Sequence, residues 1–152
     1  AYPGAAARDG TTSLMWAARR HDEATAERLV QLGANVDASN KDGVTALMMA
    51  DEAVATMLLE NDVGVNATDQ AGQTALMWAF KRNRSRTASL LVHRGADVRV
   101  VARDGATALS WALHRGHMKL AKALMSKGAE ANAVAPDGCT SLMWAAEHGR
   151  PA

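Results

Sequence analysis

Two histidines three apart, in the run His114-Arg115-Gly116-His117, come nearest to a metal-ligand spacing in this chain. On a continuous helix that offset puts both imidazoles on one face, where a cation could sit. Gly116-His117 falls where the helical pattern breaks, however, and no cysteine or further histidine pattern joins the pair. A structural role is the better reading, and no metal is expected. Asp9, Asp42, Asp104 and Asp137 each precede a glycine. Carboxylates brought together can do acid–base work, but the regular spacing of these four assigns them to separate turns. Cys139 is the single cysteine. With no base identified beside it there is no nucleophile signal, and alone it forms no internal disulfide and no cysteine-based zinc site. No glycine-rich phosphate loop or dinucleotide fingerprint occurs. No catalytic residue and no cofactor is therefore expected, and an enzyme is set aside.

The residues with most to offer are aromatic and cationic. Trp16 and Arg20, Trp78 and Arg82, and Trp111 and Arg115 share an i, i+4 spacing, as do Trp144 and His148. Residues so spaced are neighbours on a helix surface. Two readings follow. In one, each indole is a half-buried rim residue covering small alanines, with the arginine laid over it at a gain of about 0.5–1 kcal/mol. In the other, Trp16, Arg20, Trp78, Arg82, Trp111, Arg115 and Trp144 form a partner-binding row, since Trp and Arg dominate interface hot spots. Such a row suits an acidic or aromatic-containing peptide or loop. A cage for a methylated lysine would also use tryptophan, but arginine beside each indole opposes a cationic guest.

These side chains recur because the elements that carry them recur. Thr12-Ser13-Leu14-Met15-Trp16-Ala17-Ala18 returns at 140–146, with variants at 45–50, 74–80 and 107–113. Asp-Gly precedes each copy, with Ala71-Gly72 in the third, and the steps are 33, 29, 33 and 33 residues. Repeats of that period stack, because no single unit can bury its apolar face alone. Asp-Gly makes a turn, and a threonine three residues after the aspartate caps a short helix. A break such as Arg20-His21-Asp22-Glu23 leads to a second helix with Ala26, Leu29 and Val30 at helical spacing. Gly33, Gly95 and Gly128 suit the left-handed position that ends a helix. The unit boundaries read as 1–8 (lead-in or tail of a preceding unit), 9–41, 42–70, 71–103, 104–136 and a partial unit at 137–152. The second unit is four residues short, missing the end of its first helix and the turn around 50–51. Asp51 and Glu52 then start its second helix through a cap and a favourable dipole contact.

The period and the Thr-x-Leu-x-x-Ala core resemble ankyrin repeats, whose signature is T-P-L-H-x-A. The resemblance runs from about Asp9 to Gly149 and implies an all-α solenoid of helix-turn-helix units with β-turn fingers. The motif proline is replaced by Ser13, Ala46, Ala75, Ala108 and Ser141, and the motif histidine by Met15, Met48, Met77, Ser110 and Met143. The methionines read as seam packing between units. By the resemblance, first helices and fingers line a concave side that binds proteins or peptides. The tryptophans would then form a ladder at about the 8–10 Å of packed helices, with Met49 as its missing rung. Thr11, Gln73 and Cys139 would add specificity at the fingers.

The totals agree with a binding scaffold. The chain has 152 residues, a formal net charge of +1 and 22% charged residues. Near-neutrality argues against nucleic acid as the partner, and no apolar run reaches the ~18 residues of a membrane span. Arginine outnumbers lysine and alanine is abundant, suggesting a GC-rich bacterial genome; cytoplasm and periplasm both stay open. The basic run Lys81-Arg82-Asn83-Arg84-Ser85-Arg86 reads as a solvated loop or a contact for an acidic partner. Neither end carries a recognisable polar cap. The array is thus expected to be a piece of a longer protein, and the alternative function is a lobe docked on an enzymatic or cofactor-carrying part of a larger assembly.

Overall fold

The structure, a computed structural model, describes residues 5–131. Eight helices pair into four hairpins: α1 (Ser13–Arg19) with α2 (Glu23–Gln31), α3 (Ala46–Met49) with α4 (Glu52–Leu59), α5 (Ala75–Lys81) with α6 (Ser85–His93), and α7 (Ala108–His114) with α8 (Met118–Ser126). First helices pack on first helices and second on second, giving two layers of an all-α repeat solenoid. The partial fifth unit, with Trp144, Cys139 and His148, lies outside the described residues.

Each element starts and stops for a local reason. Thr12, Thr74 and Thr107 have extended backbones, and their hydroxyls accept from the amides of Met15, Met77 and Ser110. Those bonds satisfy donors that the first turn leaves orphaned. Ser110 donates its hydroxyl to the Thr107 carbonyl and accepts the Thr107 amide, completing a reciprocal box. Asp22 and Asp51 cap α2 and α4. Hydrogen bonds from the Thr25 hydroxyl and amide hold the Asp22 carboxyl below its ordinary value. Gly33, Gly95 and Gly128 sit at φ 91, 84 and 99° and close paired 6→1 and 5→2 bonds, as Ala34 N to Leu29 O and Gly33 N to Val30 O show.

The core runs along the seam between hairpins. Leu14, Leu47, Leu76 and Leu109 are at most 2% exposed, and Met15, Met48, Met77 and Ser110 lie beside them, equally buried. The methionines therefore pack the seam, where a flexible thioether fills irregular gaps.

The fingers are joined by main chain. Lys41 N–H donates to Asp9 O, Gln70 N–H to Asp42 O, and Arg103 N–H to Ala71 O, each at 2.9 Å. Asp9 Oδ1 and Asp104 Oδ1 clamp their own turns by accepting the amides of Thr11 and Ala106. Asp42 does not act in the same way: in its finger Asn40 Oδ1 takes the amides of Asp42 and Val44. Asp69 clamps the next one, on Ala71 and Gln73. Gly43 lies where fingers nest most tightly. It has φ 75°, and a Cβ there would meet Asp69 Cα at 3.0 Å and Gln70 N at 3.1 Å. Gly43→Ala should lower stability by more than the ~1–2 kcal/mol of left-handed strain alone. Gly33→Ala, with open space at its Cβ, should show the strain alone, and denaturant midpoints of the two compared will check this.

α3 departs from the other first helices. It has four residues where α1, α5 and α7 have seven, Thr45 makes no side-chain cap bond, and Ala50 is already extended. In register, repeat 2 has no counterpart of Ala18, Arg19, Arg20 and His21. The left-handed residue that turns the other hairpins, His21 (φ 61°), Asn83 (φ 59°) or Gly116 (φ 77°), is missing with them.

Candidate partner-binding face

Among the described residues the first helices other than α3 end in basic residues. α1 closes with Arg19 and Arg20, α5 with Lys81 and Arg82, and α7 with His114 and Arg115. Positive charge is favoured there, beside the unsatisfied carbonyls of a helix C-terminus. Among the described residues the carboxylate contacts of basic side chains are His21–Asp51 and Arg86–Glu52, both at 3.7 Å, so Arg19, Arg20, Lys81, Arg82 and Arg115 make no ion pair there.

The indoles and cations pair differently in each repeat. Arg82 stacks on Trp78, its Cζ 4.8 Å from the ring centre, which is the expected i, i+4 contact. Trp16 is covered by Arg19 at 5.6 Å instead of Arg20. Trp111 is covered by Lys81 of the preceding repeat at 5.8 Å instead of Arg115. Arg115 reaches back to donate to the Lys81 carbonyl at 2.5 Å, and His114 stands edge-on to the Trp111 ring, 5.9 Å between centres. The uniform picture of arginine laid over its own indole is therefore corrected. Which cation covers an indole depends on the neighbouring repeat as well as on helix spacing.

Burial also varies along the row. Trp78 and Trp111 pack partly buried against the core, as does Met49, whereas Trp16 is 46% exposed. Trp16 and Arg20 line a cleft of about 490 Å³ with Ser13, Ala17, Asp22, Thr25 and Leu29; the Asp22 carboxylate is held there by Thr25 as the cap of α2. The Trp78 Nε1–H donates to Asp69 Oδ2 at 2.9 Å. Trp111 Nε1 is buried with no acceptor among the described residues; the position equivalent to Asp69, 33 residues on, is Ala102. Ala102→Asp should supply that acceptor and add about 1 kcal/mol, seen as a melting temperature raised by about 2–4 °C. A lowered melting temperature would show that the carboxylate does not reach the indole.

The histidine pair carries no ligand geometry. His114 ends α7 and His117 precedes α8, so the turn separates them, and the His117 ring meets Asn83 Oδ1 at 2.7 Å. No group of three or more His, Cys, Asp or Glu able to hold a metal occurs among the described residues. No helix there is long and apolar enough to cross a membrane.

The basic run 81–86 is more than a solvated loop. Arg84 stands at the register position held elsewhere by Asp22, Asp51 and His117, and its guanidinium Nη1 donates to Met49 O at 2.9 Å and Ala50 O at 2.8 Å. Those carbonyls close the truncated helix α3. Nη2 lies 3.4 Å from His21 Nε2, so the side chain spans from repeat 3 to repeat 1. Within the basic run Arg84 is thus a cross-repeat clamp, and its signal in the sequence is an arginine in a capping position directly after a shortened unit.

A family model described as ankyrin repeats, in three copies, matches residues 14–102 and 86–152. The chain belongs to the ankyrin-repeat family. No curated protein matches it at a significant level. Ankyrin repeats are generally protein–protein interaction modules and typically non-catalytic. In this ankyrin array the histidine of the family signature is methionine in three of the four described repeats and serine in the fourth, so the usual polar site at the seam is filled by packing or by the Thr107–Ser110 box.

Proposed function

We propose that this array is a non-catalytic scaffold that binds a partner protein or peptide across the concave face made by its fingers and first helices. Trp16, Arg20, Trp78, Arg82, Trp111 and Arg115 are the contacts, continued by Trp144 in the fifth unit. One observation carries the reading: arginines and a lysine beside indoles that, among the described residues, make no ion pair with a carboxylate. Unpaired charge of one sign attracts a partner of the other and speeds its approach. The partner segment is accordingly acidic. Stacked hairpins hold the row in place, so little freedom is lost on binding.

Trp78 and Trp111 pack on the core, so truncating them tests binding and stability together. The cleaner variants are Trp16→Ala and the triple change Arg20→Ala, Arg82→Ala, Arg115→Ala. Tagged protein from the native source, analysed by mass spectrometry, should capture a defined partner. Both variants should lose it by about tenfold or more, with helical circular dichroism retained. Equal capture by all three proteins would refute the assignment of this face.

A further inference from the structure

Four residues missing from repeat 2 change what its neighbours can touch. In a repeat array each unit ordinarily contacts only the next. Here the turn after α1 and the turn after α5, two repeats apart, meet: Arg84 Nη2 is 3.4 Å from His21 Nε2. Without the missing turn of α3, and without the basic pair that turn carries in the other units, the arginines of repeats 1 and 3 share one neighbourhood. We infer that Arg19 and Arg82, brought together across the shortened repeat with Arg84 behind them, form a subsite for a carboxylate of an acidic peptide segment. This deepens the proposed function and rests on its reading of this face.

Three observations support the occupant. Arg19 and Arg82 each lie against an indole, of Trp16 and Trp78, and a guanidinium resting on an aromatic face can still offer its N–H groups to a carboxylate. A fork of parallel N–H groups matches the two oxygens of Asp or Glu. The Arg82 guanidinium is disfavoured by partial burial and then by the charges of Arg84 and Arg19, and it makes no ion pair among the described residues. The acids nearby are turned to other work, Asp51 beside His21 and capping α4, and Glu52 beside Arg86.

The probe is a fluorescein-labelled polyglutamate peptide, followed by anisotropy at low and at physiological salt, since exposed pairs weaken with screening. The unaltered protein should bind it. Arg19→Ala with Arg82→Ala should weaken binding by about tenfold or more, whereas Arg86→Ala, which removes a charge paired to Glu52, should leave it unchanged. The decisive variant inserts Ala-Ala-Asn-Gly between Ala50 and Asp51, restoring the turn without altering net charge. It should bind the peptide as weakly as the double variant. Binding by the insertion variant as tight as that of the unaltered protein would overturn the inference, as would equal losses from Arg86→Ala and the double change. Complete displacement by millimolar inorganic phosphate would assign the cluster to phosphate and also overturn it. If the insertion variant misfolds by circular dichroism, the comparison of the double variant with Arg86→Ala still decides. Should the subsite fail while the triple arginine variant still loses the native partner, the wider reading of the face stands alone.

Discussion

Phe80→Ala is expected to cost about 3–5 kcal/mol, the largest loss from any truncation in the first-helix row. Phe80 is the chain's only phenylalanine and is 0% exposed. Its register position holds Ala18 in repeat 1 and Leu113 in repeat 4, and repeat 2 has no counterpart. The largest side chain of the set thus stands beside the missing turn, where a ring is needed to keep the seam filled. Its ring also meets that of His117, 5.9 Å between centres. Interiors pack too densely to close over a lost aromatic. The denaturant midpoint, followed by helical circular dichroism, should fall steeply, while Ala18→Gly should cost less, through helix propensity and one buried methyl. A Phe80→Ala loss below about 1 kcal/mol, the range of a single-methylene deletion, would show that the shortened repeat collapses without its help.

Arg84→Ala should rank next, at about 1.5–3 kcal/mol for charged hydrogen bonds to two carbonyls. Met49 O and Ala50 O would be left at the end of a single-turn helix. Arg84→Lys keeps the charge, but its single nitrogen cannot serve both carbonyls and His21 as Nη1 and Nη2 do together, so it should recover less than half. Arg86→Ala, two residues on, is the control: its pairing with Glu52 is 3.7 Å long between exposed side chains, and such pairs contribute about 0–1 kcal/mol. Hydrogen exchange at the α3–α4 junction should quicken in Arg84→Ala and stay unchanged in Arg86→Ala. Equal protection in both would reduce Arg84 to a surface residue.

The parts of this structure that follow from spacing within one helix were legible in the sequence. The caps at Thr12, Thr74 and Thr107, the glycine stops and the buried Leu and Met positions all follow from a 3.6-residue period and local bonding; the missing cap at Thr45 and the differing burial of the indoles do not. Contacts between repeats were not. That Lys81 covers Trp111, that Asp69 but not Ala102 reaches an indole, and that Asn40 replaces Asp42 as a turn clamp depend on neighbouring repeats or on exchangeable turn partners. Arg84 was the least legible residue. Its partners lie 34, 35 and 63 positions away, and nothing in its own helix announces them.

The ladder of amides linking finger to finger has one more consequence. Register between neighbouring fingers is carried by the backbones of Asp9, Lys41, Asp42, Gln70, Ala71 and Arg103, and main-chain atoms are the same whatever side chain stands at the tip. Lys41 and Arg103 are accordingly free to be exchanged for almost any residue except proline, which would delete the donor, whereas Gln70 adds a side-chain bond of its own, donating Nε2–H to the Lys41 carbonyl. The array can therefore change what it recognises one fingertip at a time without rebuilding its frame, which makes these tips natural positions for drift in evolution and for randomised libraries in the laboratory.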